Sequence, residues 1–504
     1  MTVRSGLLRL SLIAALLVAV LAPASEASHQ DNLEKAVQGL GGDALLNLTS
    51  LRIESSGTRA TLDEGDDPDG PPGYPGPYTM TTSVDPSQAA FRLDTDMVSF
   101  VGIPRTLTEV VTEDGGYLDG QDNNFAPPFT APMLSDRHVS TLLHQLLLHP
   151  QLLIAFAADN PDVASSQGRL LVIDIDGHPL YMAINRATGR PSRVWMLESD
   201  PLRRDTRMEV RYSDWTEVDG VQFPTEVVVR YAGKVVQEET RNSIEVNPAL
   251  APDLFDFPAG ITPVFDPVLA ERGIVNHQYL QSFAALGFPR DGFQPNVIGA
   301  ELATGVYHLT GGTHHSLAVV QEGGVTVVEA PLDEVRSAAI VDWIDANIGL
   351  PVAHVVPSHF HADHSAGARY FFNNGADIVV HQNVKQFWAK VMRARSTVVP
   401  DRDEPPRGVL RRIATVPAGG SYVIDDPVNP VGVHTIESDH SSDLMIVEAG
   451  GVLFVVDIFS PGLPAGPDAA PIVPRVLELG LTIDTVAGGH GGTIPWSDFA
   501  ALFP

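Results

Sequence analysis

The sequence predicts an α/β protein in two parts, a mostly antiparallel β region followed by an α/β domain. Three observations carry this. Between about 50 and 246, apolar-polar alternation is punctuated by the turns Asp114-Gly115, Asp176-Gly177, Asp219-Gly220 and Ala232-Gly233, which is hairpin chemistry. From about 299 the texture changes to strands alternating with helices. Finally, the stretch SHFHADHSAG at 358–367 places His359, His361, Asp363 and His364 within six positions, directly after a buried strand.

The bulk properties set bounds on that reading. A chain of 504 residues is too long for one ordinary core, so two or more domains are expected. A hydrophobic content of 44% with 19% charged residues describes a globular protein. Basic residues number 32 against 62 acidic ones, a formal net charge of -30. Such an excess argues against recognising nucleic acid or an anionic membrane by general electrostatics, since both need a basic face. It serves solubility instead. The absence of cysteine removes disulfides, thiolate ligands and any acylated-cysteine anchor, leaving His, Asp and Glu to hold a metal.

Taken in order, residues 1–27 have the layout of an export leader: Arg4 and Arg9, an apolar run from Leu10 to Leu21, and small residues around Ala22-Pro23-Ala24 and Ser25-Glu26-Ala27. The run is short for a membrane anchor. The mature protein is therefore expected in a periplasm or outside the cell, without stable membrane insertion. Residues 28–263 form the antiparallel β domain. It opens with a helix over 29–48, and a Pro/Gly-rich loop, PDGPPGYPGPYTM, interrupts its strands. A single helical piece is expected at about 138–158. Its closing strands, SDWTEVDGVQFPTEVVVR to EVNPALAPDLFDFP, softly resemble the bacterial lipoprotein-carrier β folds, which curve a sheet around an apolar groove. A helical link is expected over 264–298. The domain at 299–504 then runs through three strands, an amphipathic helix at DEVRSAAIVDWIDANIG, and the strand PVAHVVPS that leads into the histidine cluster.

Ligand sites in α/β sheets lie where strands end. His359 and His361 flank one residue, so on an extended segment they face the same way. Asp363 and His364 lie on the turn beyond. One pair can serve one metal ion and the other pair a second; zinc suits such donors.

The pattern H-x-H-x-D-H resembles the signature of the metallo-β-lactamase superfamily, whose fold is an αββα sandwich. The resemblance implies three further ligands at strand ends: His440 in VHTIESDHSSDLMIVE, Asp457 in GVLFVVDIFSP and His490 in IDTVAGGHGGTIP. It assigns His359, His361 and His440 to one ion, and Asp363, His364 and His490 to another, with Asp457 bridging. Two zinc ions are implied, with iron or manganese as other occupants. His434 competes with His440, but the Ser-Ser-Asp-Leu that follows His440 fits the family better. His314 and His315 read as exposed loop residues, with the site mouth as the alternative, and His381 reads as structural. The basic stretch 393–412 reads as a solvated helix and loop, and the Asn47-Leu48-Thr49 sequon as a chance match.

What the resemblance implies chemically is hydrolysis of a small-molecule ester, thioester, lactone or amide by a metal-bridging hydroxide. Asp363 would orient the nucleophile and carry a proton to the leaving group. An iron-dependent sulfur dioxygenase of the same fold, and a binding protein for apolar ligands with a structural metal, are the alternatives. Substrate and oligomeric state are not legible.

Overall fold

The computed structural model describes residues 26–98, 102–121, 127–265, 296–399, 408–462 and 465–503. All but the last two residues of the stretch 1–27, expected to be a leader, and most of the expected 264–298 link lie outside them. Contacts divide the chain into two units. The second unit comprises Asp63–Gly73, Asp200–Asp205 and the chain from 296 onward, and the first takes the rest.

The first unit is a 13-stranded sheet in which every described pairing is antiparallel. Leu51–Thr61 pairs with the last strand, Lys234–Val246. Successive early strands extend the sheet on one side to Phe129–Pro132, and the later ones extend it on the other to Ala164–Gln167. Inward positions alternate along Val221–Tyr231 and bury Phe223, Val227, Val229 and Tyr231. The expected helix at 29–48 is Glu26–Leu40 followed by a short turn of helix, Asp43–Leu46.

Two sequence expectations are corrected here. The helical piece expected at 138–158 is two helices, Ser135–Leu148 and Pro150–Asp159, bent by 100°. Pro150 lacks an N–H and its ring clashes with the preceding turn, so one helix ends and proline opens the next. Leu147, Leu153 and Ile154 on this pair join Leu40 and Phe223 in the unit's main core. The Pro/Gly stretch is also not wholly loop. Strand Gly73–Asp85 begins inside it, with Pro75 and Pro77 at its first residues, where a strand tolerates proline. Among the described residues no single helix is long and apolar enough to cross a membrane.

The second unit is layered. A seven-stranded sheet runs from Ile298–Ala303 through Val306–Thr310, Ser316–Gln321, Gly324–Val328, Val352–Val356 and Asp377–His381 to Ile413–Val416. Its early strands pair antiparallel and its later ones parallel. A six-stranded sheet spans Ser421–Ile424 to Thr493–Pro495, with Val452–Phe454 and Thr485–Ala487 parallel within it. The sheets face each other across Val319, Val328 and Val356 on one side and Val433, Val447 and Phe454 on the other. Helices Glu334–Asn347, Ala368–Asn373 and Lys385–Val391 cover the outer face of the first sheet through Ile340, Phe372 and Trp388. Ile472–Leu479 and Trp496–Ala501 cover the second through Ile472, Val476 and Phe499. This is the αββα order expected from the histidine pattern. In register, Val328 lies opposite Val356, and Phe454 opposite Ala487. The strands of each pair therefore finish together, and the chain leaves Val356, Phe454 and Ala487 into loops carrying predicted ligands.

Candidate metal centre

The strand Val352–Val356 ends at Pro357, and the polar run after it folds into one turn of helix, Ala362–Ser365. That turn brings four side chains of the cluster inward. His359, His361 and His364 are at most 1% exposed, and Asp363 is 4% exposed. Loops from the other strand ends bring His440, Asp457 and His490. The result is two adjoining donor groups: His359, His361, His440 and Asp457 in one, and His314, Asp363, His364 and His490 in the other. Asp457 links them. Its Oδ2 lies 3.0 Å from His440 Nε2, and its Oδ1 lies 3.0 Å from His490 Nε2 and 3.5 Å from His364 Nε2. All seven sequence-predicted residues are thus brought together. His434 stands apart, with its Nδ1 2.7 Å from Ser421 Oγ.

Four of the imidazoles are oriented by the nitrogen that does not face the centre. His359 Nδ1 is 2.8 Å from Ser358 Oγ, which leaves Nε2 inward, 3.1 Å from His440 Nε2. His361 donates through Nε2 to the Gly65 carbonyl at 2.9 Å, so its Nδ1 faces inward. His364 Nδ1 lies 2.7 Å from Glu329 Oε2, and His490 Nδ1 donates to the Thr313 carbonyl at 2.7 Å. Such outer partners fix tautomer and ring angle for metal binding. Three inward atoms have no hydrogen-bond partner although they are buried: His361 Nδ1, His364 Nε2 and Asp363 Oδ1. Buried polar atoms without partners are rare and call for an explanation. A cation among them supplies one, and an all-nitrogen-and-oxygen donor set suits zinc, iron or manganese.

The electrostatics agree. Burial, then the neighbouring imidazoles, hold His359 well below the usual histidine range, and His361 falls to about 3. Burial also opposes charge on His364, yet Asp363 and Asp457 hold it well above that range. Asp457 stays ionised against its burial because His364 and His440 face it. The cluster carries buried carboxylate charge that cations would balance.

Backbone strain borders the centre. Glu329 and Val456 have φ of 69° and 54°, a conformation that is costly for residues with a side chain and acutely so for a β-branched one. Val456 immediately precedes Asp457, and its carbonyl receives the Gly489 N–H at 2.6 Å. A Cβ on Gly489 would lie 2.6 Å from that same oxygen, so only glycine permits the approach that sets His490 beside Asp457.

Four residues were missed or misplaced by sequence reasoning. His314 and His315 are not exposed loop residues: they are 2% and 7% exposed. His314 Nε2 lies 3.0 Å from Asp363 Oδ2, inside the second donor group. His315 donates through Nε2 to the Gly312 carbonyl, and its N–H bonds the Gly489 carbonyl at 2.7 Å, steadying the loop before His490. Glu329, fully buried at the end of Gly324–Val328, was read only as part of a strand; it accepts the Ser358 N–H at 2.7 Å as well as facing His364. Glu64 falls between the expected strand ending at Asp63 and the Pro/Gly loop starting at Pro68, and was given no role. Its Oε2 lies 3.6 Å from His361 Nδ1, and it groups with His361 and Asp363. A glycine-rich T-H-H after a strand was the only sequence signal for His314, and nothing local marked Glu64.

No protein-family model and no curated protein matches the sequence. Solved structures similar to it include a metallo-β-lactamase from Pontibacter korlensis, at 15% identity and a TM-score of 0.33, covering 41% of this chain and 99% of that one. A metallo-β-lactamase from Hirschia baltica matches at 16% identity and a TM-score of 0.31, over 41% and 95% of the two chains. The FIM-1 metallo-β-lactamase from Pseudomonas aeruginosa, solved in a mono-zinc form, matches at 16% and 0.33, over 41% and 92%. These are similarities of fold; what the centre can do follows from this chain's own donors.

Proposed function

We propose that the protein is a metal-dependent hydrolase that cleaves an ester, thioester, lactone or amide bond of a small molecule with activated water. One observation carries the reading: Asp457 presents its two oxygens to histidines of two adjoining donor groups, at 3.0 Å each, while the neighbouring inward nitrogens lack partners. His359, His361 and His440 would hold one ion, and Asp363, His364 and His490, joined by His314, the other. Bound divalent ions supply Lewis acidity and lower the pKa of water toward neutrality. The protein's residues do the rest. His314 fixes Asp363 Oδ2, so Asp363 Oδ1 points in one direction. From there Asp363 orients the water and passes its proton to the leaving group. Zinc is the proposed metal. Export to a periplasm or beyond is also proposed, from the residue pattern at 1–27.

The test is elemental analysis of the purified protein followed by an ester, lactone and lactam panel. Two zinc ions per chain, with turnover abolished in Asp363→Ala, is the expected result. One iron per chain with oxygen uptake, or no turnover by the loaded protein, contradicts the reading.

A further inference from the structure

The chain between the strands Leu51–Thr61 and Gly73–Asp85 packs with the metal-bearing unit. This stretch, DEGDDPDGPPG, holds Asp63, Glu64, Asp66, Asp67 and Asp69. It is pinned rather than loose. Asp63 pairs with Arg203, the Gly65 carbonyl takes the His361 Nε2 hydrogen bond at 2.9 Å, and the Asp66 carbonyl accepts from the Ser442 N–H at 2.9 Å and its hydroxyl at 2.8 Å. The loop also closes on itself: a Cβ on Gly73 would lie 1.7 Å from the Glu64 carbonyl oxygen. These contacts leave the Glu64 carboxylate facing His361 Nδ1 and grouped with Asp363, with its side chain 8% exposed.

The carboxylates facing the centre are Asp363 and Glu329, both buried, and Asp457 and Glu64, both partly buried. Burial, then Asp363 and Asp457, push the Glu64 carboxyl well up, so its ionised form depends on the four positive charges that two divalent cations bring; once ionised, it leaves the loaded centre one charge less positive than it would be without it. Attraction for an anion is strong in such a dry site and depends on that last charge. We propose that Glu64 is a specificity-determining residue: held by loop 63–73 beside His361 and Asp363, it adds a negative charge to the loaded centre and restricts it to uncharged substrates such as neutral esters and lactones. The proposal rests on the hydrolase reading for its substrate class, but its test does not need turnover.

The experiment is calorimetric titration of acetate into the zinc-loaded full chain, for wild type, Glu64→Gln and Glu64→Asp, with zinc content measured on each. Glu64→Gln should keep two ions and bind acetate at least tenfold more tightly than wild type. Glu64→Asp, which keeps the charge, should stay within about threefold of wild type. Unchanged acetate affinity in Glu64→Gln overturns the proposal, and so does loss of an ion from it, which would make Glu64 a ligand and not a filter. Were the tenfold shift seen in a protein that hydrolyses no ester or lactone, the hydrolase reading would fall while the charge filter stood.

Discussion

Replacing Glu329 by glutamine separates orientation of a ligand from the ligand itself. Glu329 Oε1 accepts the Ser358 N–H and Oε2 faces His364 Nδ1, both at 2.7 Å. Glutamine has the same shape, and its carbonyl oxygen can keep the Ser358 bond. Its NH2 then stands where Oε2 was and offers a donor to an Nδ1 that was itself donating. Relief requires the His364 proton to move to Nε2, the inward atom 3.5 Å from both Asp363 and Asp457. A protonated Nε2 cannot ligate. Loss of such an outer partner costs about 10- to 100-fold in metal affinity, or about 1.4–2.7 kcal/mol. Chelator-competition titration of wild type and Glu329→Gln, with far-ultraviolet circular dichroism as a fold control, measures this directly. One of two affinities should weaken by that factor while the other holds. Two affinities within about twofold of wild type, in a folded variant, would refute the orienting role.

Other consequences follow from the same geometry. His440→Ala should lose one metal ion by elemental analysis, whereas His434→Ala, whose ring bonds Ser421 away from the donor groups, should keep both. Phe223→Ala, at a fully buried position of the first unit's core, should destabilise that unit by about 3–5 kcal/mol in urea titrations and leave metal content unchanged. His149 is held neutral, at about 3, by burial and then by Arg241. The unfolded chain protonates it near 6.5 and the folded chain does not, so stability is complete above that pH. It falls by about 1.4 kcal/mol per unit as pH drops from about 6.5 toward 3. Urea midpoints at pH 7 and pH 5 should therefore converge in His149→Gln relative to wild type, by about 2 kcal/mol; parallel losses would contradict the assignment.

The parts of the centre legible in the sequence were those where chemistry is dense or local. Three imidazoles and a carboxylate in six positions have no packing rationale, and His440, Asp457 and His490 each follow a strand that the apolar pattern marks. Glu329 escaped notice because one acid ending a run of valines looks like any strand terminus. Only the positive φ and the His364 contact reveal it. His314 sat in a Gly/Thr loop, where exposure is the usual outcome. Glu64 is separated from His361 by 297 positions, in a stretch whose acids and prolines describe a solvated loop equally well. Long-range placement of this kind leaves no periodic trace. The bend at Pro150 was readable from proline chemistry alone, but the leucine- and alanine-rich stretches on either side favoured one helix.

Anomalous diffraction at the zinc edge from metal-loaded crystals tests the central claim most directly. Two peaks are predicted, one amid His359, His361 and His440 and one amid His314, Asp363, His364 and His490, with the Asp457 carboxylate between them. A single peak away from Asp457, or none in crystals of protein saturated with zinc, would contradict it.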